Sequence, residues 1–221
     1  VVAAMPGNTK VTVVPSAATH AKIGAVGMSL GGKSVFTLKQ GQVLNVESNK
    51  VNADLTGSYV NADQDVVVFG GSEASNSPNI GNCIPNPQGL LGGKVCAGST
   101  LGGGFGKACT QDSQCEPACC ADHLEEQMFP VKAWGTTYVA ARLSPRGKEK
   151  DAWRIVAKEN GTTVTLTPNI GVNIPTLNQG QFYEFETTAD FLITASKPVM
   201  VAQYMASSYA TRTKENPSST T

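Results

Sequence analysis

The sequence predicts an all-β fold made of two diverged tandem β-sandwich-like repeats of antiparallel strands, with a disulfide-rich loop insert between them. Three observations predict it: short segments of alternating apolar and polar residues, an internal repeat, and six cysteines confined to the region between the repeat copies. Turn residues recur every ~8–12 positions, which is typical of a sandwich or barrel. We favour sandwiches over propeller blades, because about six strands per copy exceed the four strands of a blade.

The repeat consists of four pairs of similar segments in the same order. In each copy a strand rich in Thr and Val ends in proline, a Gln-Gly-Gln turn and an Ala-Asp pair follow, and an apolar run closes the copy. The paired segments are residues 9–15 and 162–168, 38–42 and 177–181, 53–54 and 189–190, and 66–69 and 199–202. The spacing agrees as well, apart from extra residues around 22–34, so we interpret the chain as a tandem duplication.

Residues 153–167 show the clearest strand pattern. Asn160-Gly161 supplies two residues that tolerate positive φ, which predicts a two-residue hairpin turn. Folding the chain there places Ile155 opposite Leu166 on an apolar face and mostly polar residues on the other face, as in a half-buried ribbon. In the first copy, Pro6-Gly7-Asn8 is expected to make the same turn.

Changes of composition set the predicted boundaries. They are 1–71 for the first β repeat, 72–135 for the Gly/Cys-rich insert and its connector, 136–205 for the second β repeat, and 206–221 for a polar tail or linker. One helical turn is plausible, at residues 121–128. We expect the chain to be part of a larger protein, because it opens inside a strand-like segment and ends in a polar one.

Composition and charge exclude several classes of protein. Lys+Arg and Asp+Glu both number 17, so the net charge is zero, which argues against a nucleic-acid binder or a polybasic membrane-surface protein. No apolar run approaches the ~18 residues of a membrane span. Charged residues make up only 15% of the chain, below the ~25% usual in soluble domains. A surface of uncharged polar residues is typical of secreted β proteins.

The cysteines indicate an oxidising compartment. An even number within a short Gly-rich stretch predicts three disulfides, each worth roughly 3 kcal/mol by the chain-entropy model. The predicted disulfide residues are Cys83, Cys96, Cys109, Cys115, Cys119 and Cys120. Adjacent Cys119 and Cys120 are expected to bond to different partners, because a bond between neighbours strains the peptide. The alternative is a zinc site at Cys115 and Cys119 with His123, but no second pair stands at finger-like spacing.

Catalytic and cofactor motifs are lacking. The ionisable run 122–126 is either a metal or acid–base site or, as we favour, a surface turn with a capping Asp. The two histidines, His20 and His123, are far apart, and no Gly-x-Ser-x-Gly elbow occurs. The Gly-rich run 102–107 lacks the ending of a phosphate loop. We therefore predict no enzyme activity, no catalytic residue, no cofactor and no metal site.

Two further features have a structural and a functional interpretation. Asn160-Gly161-Thr162 is a glycosylation sequon, but its Asn-Gly pair is already explained by the predicted turn. Trp134 and Trp153 could form a sugar-stacking platform, yet core or edge packing is the more usual role. We favour the structural interpretation for both.

The region after the insert resembles the N-terminal domain of the IgGFc-binding protein family. The resemblance rests on residues 120–127 (CADHLEEQ), followed by Pro130 and Trp134-Gly135-Thr136, and more weakly on the segments 53–58, 66–71 and 197–204. Asp122, His123, Glu126, Gln127 and Trp134 are the motif residues, with no role assigned. The resemblance implies a large secreted or surface protein with an adhesive or scaffolding role, and it supplies no catalytic residue. The cysteine segment 106–115 looks like motifs of exported bacterial proteins.

These observations predict an extracellular, bacterial binding or structural module that mediates adhesion or assembly into a surface structure. The expected partner is a protein or glycan at the cell surface, with self-association into a fibre or sheath as one form, and without nucleic acid. The alternative is a secreted carbohydrate-binding or carbohydrate-active domain. It would use paired carboxylates, for which Glu125, Glu126, Glu184 and Glu186 are available.

Overall fold

The computed structural model describes residues 1–21, 24–50, 53–75, 83–85, 94–96, 108–111, 114, 122–147 and 149–206. These residues form antiparallel sheets, as the fold class predicted. The strands are β1 (Val2–Ala3), β2 (Asn8–Val14), β3 (Ser34–Lys39), β4 (Tyr59–Ala62), β5 (Val66–Val67), β6 (Phe69–Ser75), β7 (Cys83–Pro85), β8 (Lys94–Cys96), β9 (Ala108–Cys109), β10 (Asp122–Gln127), β11 (Gly135–Ala140), β12 (Asp151–Ala157), β13 (Val164–Thr167), β14 (Phe182–Thr187) and β15 (Phe191–Tyr204). A 3-10 turn spans Val131–Ala133.

The first copy consists of two small sheets that share one core. Strands β3, β2 and β4 pair in that order, and β1 pairs with β5. Alternate residues of β2 point inward, so that Val11 and Val13 are buried while Lys10 is exposed, as the period of two in a half-buried strand requires. Leu38 and Leu44 complete this core.

The second copy is organised by the long strand β15. Its first half pairs with β11 and β13, and its second half pairs with β12, which in turn pairs with β14. The two halves enclose a core in which Ile155, Ile193 and Val199 have no exposed surface. Trp153 and Phe191 meet edge to face there, with ring centroids 5.2 Å apart.

The two copies contain equivalent hydrogen bonds at equivalent positions. In each, the N–H of the residue that opens the Gln-Gly-Gln turn donates to the side chain of its second glutamine: Lys39 to Gln42 and Asn178 to Gln181, both at 2.8 Å. The central glycine of each turn has positive φ, 76° in the first copy and 75° in the second. The tandem duplication is therefore present in the structure.

Strand pairing also corresponds between the copies. Val2 pairs with Val67 as Val156 pairs with Met200, and Val11 pairs with Ala62 as Val164 pairs with Ala195. The copies differ in continuity, because the strand that is unbroken in β15 is divided into β4 and β5 in the first copy.

The predicted hairpin between β12 and β13 is wrong. Gly161 does have positive φ, 69°, and makes a turn, but β12 pairs with β14 and β15 while β13 pairs with β15. Ile155 and Leu166 still belong to one core cluster. The apolar pattern is satisfied when two strands face each other across a core as well as when they lie side by side, so the pattern alone could not tell these arrangements apart.

The plausible helical turn at 121–128 is also wrong, as is the surface turn expected at Asp122. Residues 122–127 form β10, which pairs antiparallel with β6, and the Met128 N–H donates to the Val68 carbonyl at 2.8 Å. Gly71 permits this approach, because a Cβ there would overlap the carbonyl of Leu124. Pairing with a distant strand thus overrides the local helical preference of Leu124 and Glu125.

The insert contains a small sheet in the order β7-β8-β9. Cys83 and Cys109, on its two outer strands, form a disulfide with their Cα atoms 5.9 Å apart. Cys96 pairs through its backbone with Cys83, whereas Cys115, Cys119 and Cys120 lie outside the described residues. Disulfide bonding of those four cysteines, the different partners for Cys119 and Cys120, and the zinc alternative stay predictions.

Removing the Cys83–Cys109 disulfide should loosen the insert and leave both repeats folded. The bond closes a loop with a sequence separation of 26, so its loss should cost the insert about 3 kcal/mol. The core clusters of the two repeats contain no cysteine. In the double variant Cys83→Ser/Cys109→Ser, limited proteolysis should cut the insert first, while far-ultraviolet circular dichroism stays β. Loss of the β signal together with the first cleavage would contradict this expectation.

Candidate binding surface

Arg154 joins the two repeats. It lies on β12 of the second copy, where its guanidinium bonds Glu184 of β14 at 2.7 and 2.9 Å. The same group reaches into the first copy, with Asp54 at 2.8 Å and the hydroxyl of Thr56 at 2.6 Å. One planar guanidinium with several N–H donors can satisfy all of these acceptors at once. We call this contact the seam.

Aromatic rings and partial burial strengthen the seam. The Arg154 guanidinium lies 4.5 Å from the ring centroid of Phe182 and 5.6 Å from that of Tyr204, within the range of a cation–π interaction. Only 19% of the Arg154 side chain is exposed. The bonds are therefore less screened by water than those of a surface ion pair.

The electrostatics of the seam favour its charged form. Burial alone would raise the pKa of Asp54, but hydrogen bonds from Thr56 and the charge of Arg154 outweigh it and lower that pKa. Burial would likewise lower the pKa of Arg154, yet Glu184 and Asp54 raise it above its usual value. Tyr204 has a raised pKa, chiefly because it is partly buried. The ion pairs therefore persist at neutral pH.

A close contact between two glycines completes the seam. Gly57, with φ +86°, lies against Gly180 of the second copy's Gln-Gly-Gln turn, and a Cβ on Gly57 would overlap the Gly180 carbonyl. Beside this contact is a shallow open groove of about 410 Å³, lined by residues 175–177 and 180–182. The Gln-Gly-Gln turn of the second copy therefore also packs against the first copy.

The outer face of β11, β15 and β13 is open. Val139 on β11 is 85% exposed and lies directly opposite Leu192 on β15, which is 37% exposed. Exposed threonines surround this apolar pair, namely Thr137, Thr165, Thr167 and Thr194. We call this surface the Val139 face. It has the mixed character, apolar with hydroxyl groups, of a surface that can contact another molecule.

Three carboxylates fix the loop that follows β11. Each accepts a backbone N–H of that loop: Asp190 from Arg142 (2.6 Å), Asp151 from Leu143 (2.7 Å) and Glu149 from Arg146 (2.6 Å). Burial would raise the pKa of Glu149, but hydrogen bonds from the backbone N–H groups of Arg146 and of Glu149 itself, together with the charges of Arg146 and Arg142, hold that pKa below its usual value. Such carboxylates act as structural acceptors, which positions the end of the Val139 face.

The motif residues lie at the connection between the copies. Asp122, His123, Glu126 and Gln127 are on β10, which pairs with the first copy, and Trp134 immediately precedes β11 of the second. His123 contacts Glu125 at 3.3 Å, and the Trp134 indole N–H donates to the Phe129 carbonyl at 3.4 Å. The geometry places these residues in the connector between the copies, and it assigns them no role.

The carboxylates considered for catalysis are divided between two sheets. Glu184 and Glu186 lie two residues apart on β14, on the same side of the strand, whereas Glu125 and Glu126 lie on β10. Burial raises the pKa of Glu186, Lys150 lowers it and Glu184 adds to the increase. Glu184 is bound to Arg154. Within the described ranges, no group of three or more His, Cys, Asp or Glu could hold a metal ion.

The sequon residue Asn160 has a structural role. Its side-chain oxygen accepts the Gln179 N–H at 3.0 Å, while the Asn178 side chain accepts the Gly161 N–H at 3.2 Å. These reciprocal bonds join the Asn-Gly turn to the Gln-Gly-Gln turn. Trp153 is 4% exposed and belongs to the core, as expected for a packing residue.

Sequence reasoning missed the seam. Arg154 belongs to the mostly polar face of the predicted hairpin, and nothing in the local pattern points to Asp54 or Thr56. The one available signal was the repeat itself, since Ala53-Asp54 recurs in both copies. No helix of the described part of the chain is long and apolar enough to cross a membrane.

Comparison with known families agrees with the repeat. A family model described as IgGFc binding protein matches the chain twice, over residues 1–91 and 84–221, and each match contains one repeat copy. No curated protein and no solved structure matches the chain. Because the two matches together span its length, the chain belongs to the IgGFc-binding protein family, and it is a binding module of that family.

Proposed function

We propose that this chain is a secreted or cell-surface module that mediates adhesion or assembly into a surface structure, without catalysis. The observation that carries the proposal is the Val139 face, where an 85% exposed valine lies opposite an exposed leucine on a three-strand surface. Exposed apolar side chains within a rigid sheet are favourable contact points for a partner, because burying them stabilises a complex without ordering a loop.

The disulfide of the insert supports an extracellular setting. A disulfide between Cys83 and Cys109 forms and persists in an oxidising compartment, and family membership makes a binding role the expected one. The proposed partner is a protein or glycan at the surface of a bacterial cell, or a further copy of the chain. The Gln-Gly-Gln turns and the seam hold the two repeats as a scaffold for the contact.

The experiment compares the native chain with Val139→Lys, using Leu30→Lys as the matched control. Leu30 is also exposed, at 67%, but lies in the first copy. Each labelled variant is applied in solution to a printed glycan array and, separately, to the immobilised native chain. A lysine at position 139 should weaken binding about tenfold or more, as for a central contact residue. Equal loss in both variants, or no binding to either probe, would refute the role of the Val139 face.

A carbohydrate-active or carbohydrate-binding domain is the second candidate. It is favoured by one observation, the pair Glu184 and Glu186 on one side of β14 with the pKa of Glu186 raised by burial. A proton donor beside an ionised carboxylate is the arrangement that glycoside hydrolysis uses. Hydrolysis of an oligosaccharide that is lost in Glu186→Gln would favour this candidate, and absence of turnover in the native chain would reject its enzymatic form.

A further inference from the structure

The Asn160-Gly161 turn carries side chains that the same turn in the first copy lacks. It is the single Asn-Gly pair of the sequence, and both residues are exposed. The register of the repeat gives a different residue in the first copy for each of the three side chains at this turn: Gly7 for Asn160, Lys39 for Asn178 and Gln64 for Lys197. The first copy still makes the same Gln-Gly-Gln turn, with the same hydrogen bond. These three side chains are therefore not required to form the turn.

Polar contacts fix both the Asn160 side chain and the peptide bond that follows it. The Gln179 N–H donates to Asn160 Oδ1 at 3.0 Å. Lys197 Nζ donates to the backbone carbonyl of Asn160 at 2.5 Å. The N–H at the other end of that peptide bond, which belongs to Gly161, donates to Asn178 Oδ1 at 3.2 Å. The side-chain amide and the neighbouring peptide group are thus held together in one turn.

These contacts favour attack of the Gly161 nitrogen on Cγ of Asn160. The ammonium of Lys197 on the peptide carbonyl stabilises the anion that forms when the peptide N–H loses its proton. The Asn178 oxygen contacts that N–H, and the Gln179 N–H lies at the oxygen where negative charge develops during attack. A glycine nitrogen is also the least hindered nucleophile of its kind, because no Cβ lies beside it. The turn therefore brings together a nucleophile, an electrophile and a donor for the oxyanion.

We propose that Asn160 is a self-modification site, at which the side-chain amide is converted to a carboxylate without an enzyme. The Gly161 nitrogen bonds to Cγ, the Cγ–Nδ2 bond breaks, and ammonia leaves with the proton from that nitrogen. Water then adds to either carbonyl of the resulting succinimide ring and breaks its bond to the ring nitrogen, which gives aspartate or isoaspartate. No oxidant or reductant is needed. The modification is independent of the proposed binding function.

Each product changes the surroundings of the turn. Aspartate and isoaspartate both place a negative charge beside the ammonium of Lys197. Isoaspartate also adds a carbon atom to the backbone between positions 160 and 161. Gln179, which bonds Asn160, directly precedes Gly180, and Gly180 packs on Gly57 of the first copy. A longer backbone at this turn therefore acts on the seam between the copies.

The first test compares the folded chain with the same chain unfolded in guanidinium chloride, both at neutral pH. The Asn-Gly pair is present in both, whereas the contacts to Lys197 and Gln179 exist only in the folded chain. Peptide mapping by mass spectrometry follows aspartate and isoaspartate at position 160 with time, and enzymatic methylation identifies isoaspartate. Conversion should be about tenfold faster in the folded chain, a modest effect for a positioned oxyanion donor. Equal or slower conversion in the folded chain would overturn the proposal.

The second test replaces Lys197. Lys197→Gln installs the residue type of the first copy and should slow conversion about tenfold, because the charge on the peptide carbonyl is lost. Lys197→Arg keeps the charge and should retain most of the rate, which a purely structural role of the lysine side chain would not require. The control is Lys158→Gln, which removes a surface charge two positions before Asn160 that contacts only Glu159, at 3.9 Å, among the ion pairs of the described residues. Equal rates in Lys197→Gln and Lys158→Gln would overturn the role of Lys197, with circular dichroism confirming that both variants are folded.

Discussion

The Gly57→Ala variant is expected to lose about 3 kcal/mol of its free energy of unfolding. The added Cβ would lie 2.9 Å from the Gly180 carbonyl carbon and overlap its oxygen, and Gly57 also has φ +86°. Backbone cannot move aside as a flexible side chain can, so the two loops must separate. That displacement moves Thr56 and Asp54 away from Arg154. The loss in free energy of unfolding is therefore larger than backbone strain alone would cause.

Gly7→Ala is the matched control for this variant. Gly7 has almost the same φ, +90°, but nothing lies within 4 Å of a Cβ built there. Its substitution should cost only about 1 kcal/mol, the penalty of a left-handed conformation for alanine. Urea unfolding followed by circular dichroism measures both variants. Equal losses in the free energy of unfolding would contradict this expectation, because they would show that the Gly57–Gly180 contact adds nothing to the cost of the left-handed backbone conformation.

Arg154→Ala should destabilise the chain by about 2–3 kcal/mol, because it leaves Asp54 and Glu184 without their charged partner. The estimate lies below that for a fully buried pair, since Asp54 is 38% and Glu184 is 47% exposed. Lys158→Ala is the control. Lys158 contacts Glu159 at 3.9 Å on the surface, and its loss should change stability by less than about 0.5 kcal/mol.

The effect of Arg154→Ala should depend on pH in a defined direction. Asp54 has a lowered pKa in the folded chain, so its contribution is present above the unfolded pKa of about 4 and is lost as the pH falls through the folded pKa. The difference in stability between native chain and variant should be constant near neutral pH and shrink in acid. A difference that grows on acidification would contradict the ion-pair account of the seam.

The sequence by itself determined the class of fold, the duplication and the location of the turns. Strand residues such as Val11 and Ile193 alternate with polar neighbours, and a period of two allows few structures other than a half-buried strand. Gly41 and Gly180 mark the Gln-Gly-Gln turns because a central residue with positive φ is readily adopted only by glycine. Clustered cysteines indicated an insert held by disulfides, and Cys83 bonds to Cys109 within it. These signals are local, so a single chain displays them.

The tertiary structure alone decided which strands are neighbours and where charges meet. The pattern of β12 and β13 suits a hairpin, yet β12 pairs with β14 and β15 because those partners bury both of its edges. Residues 122–127 have helical propensity, yet they extend along β6. Arg154 meets Asp54 and Thr56, about a hundred positions earlier in the chain. Contacts between such distant residues depend on how two sheets pack, and no local pattern of apolar and polar residues records that geometry.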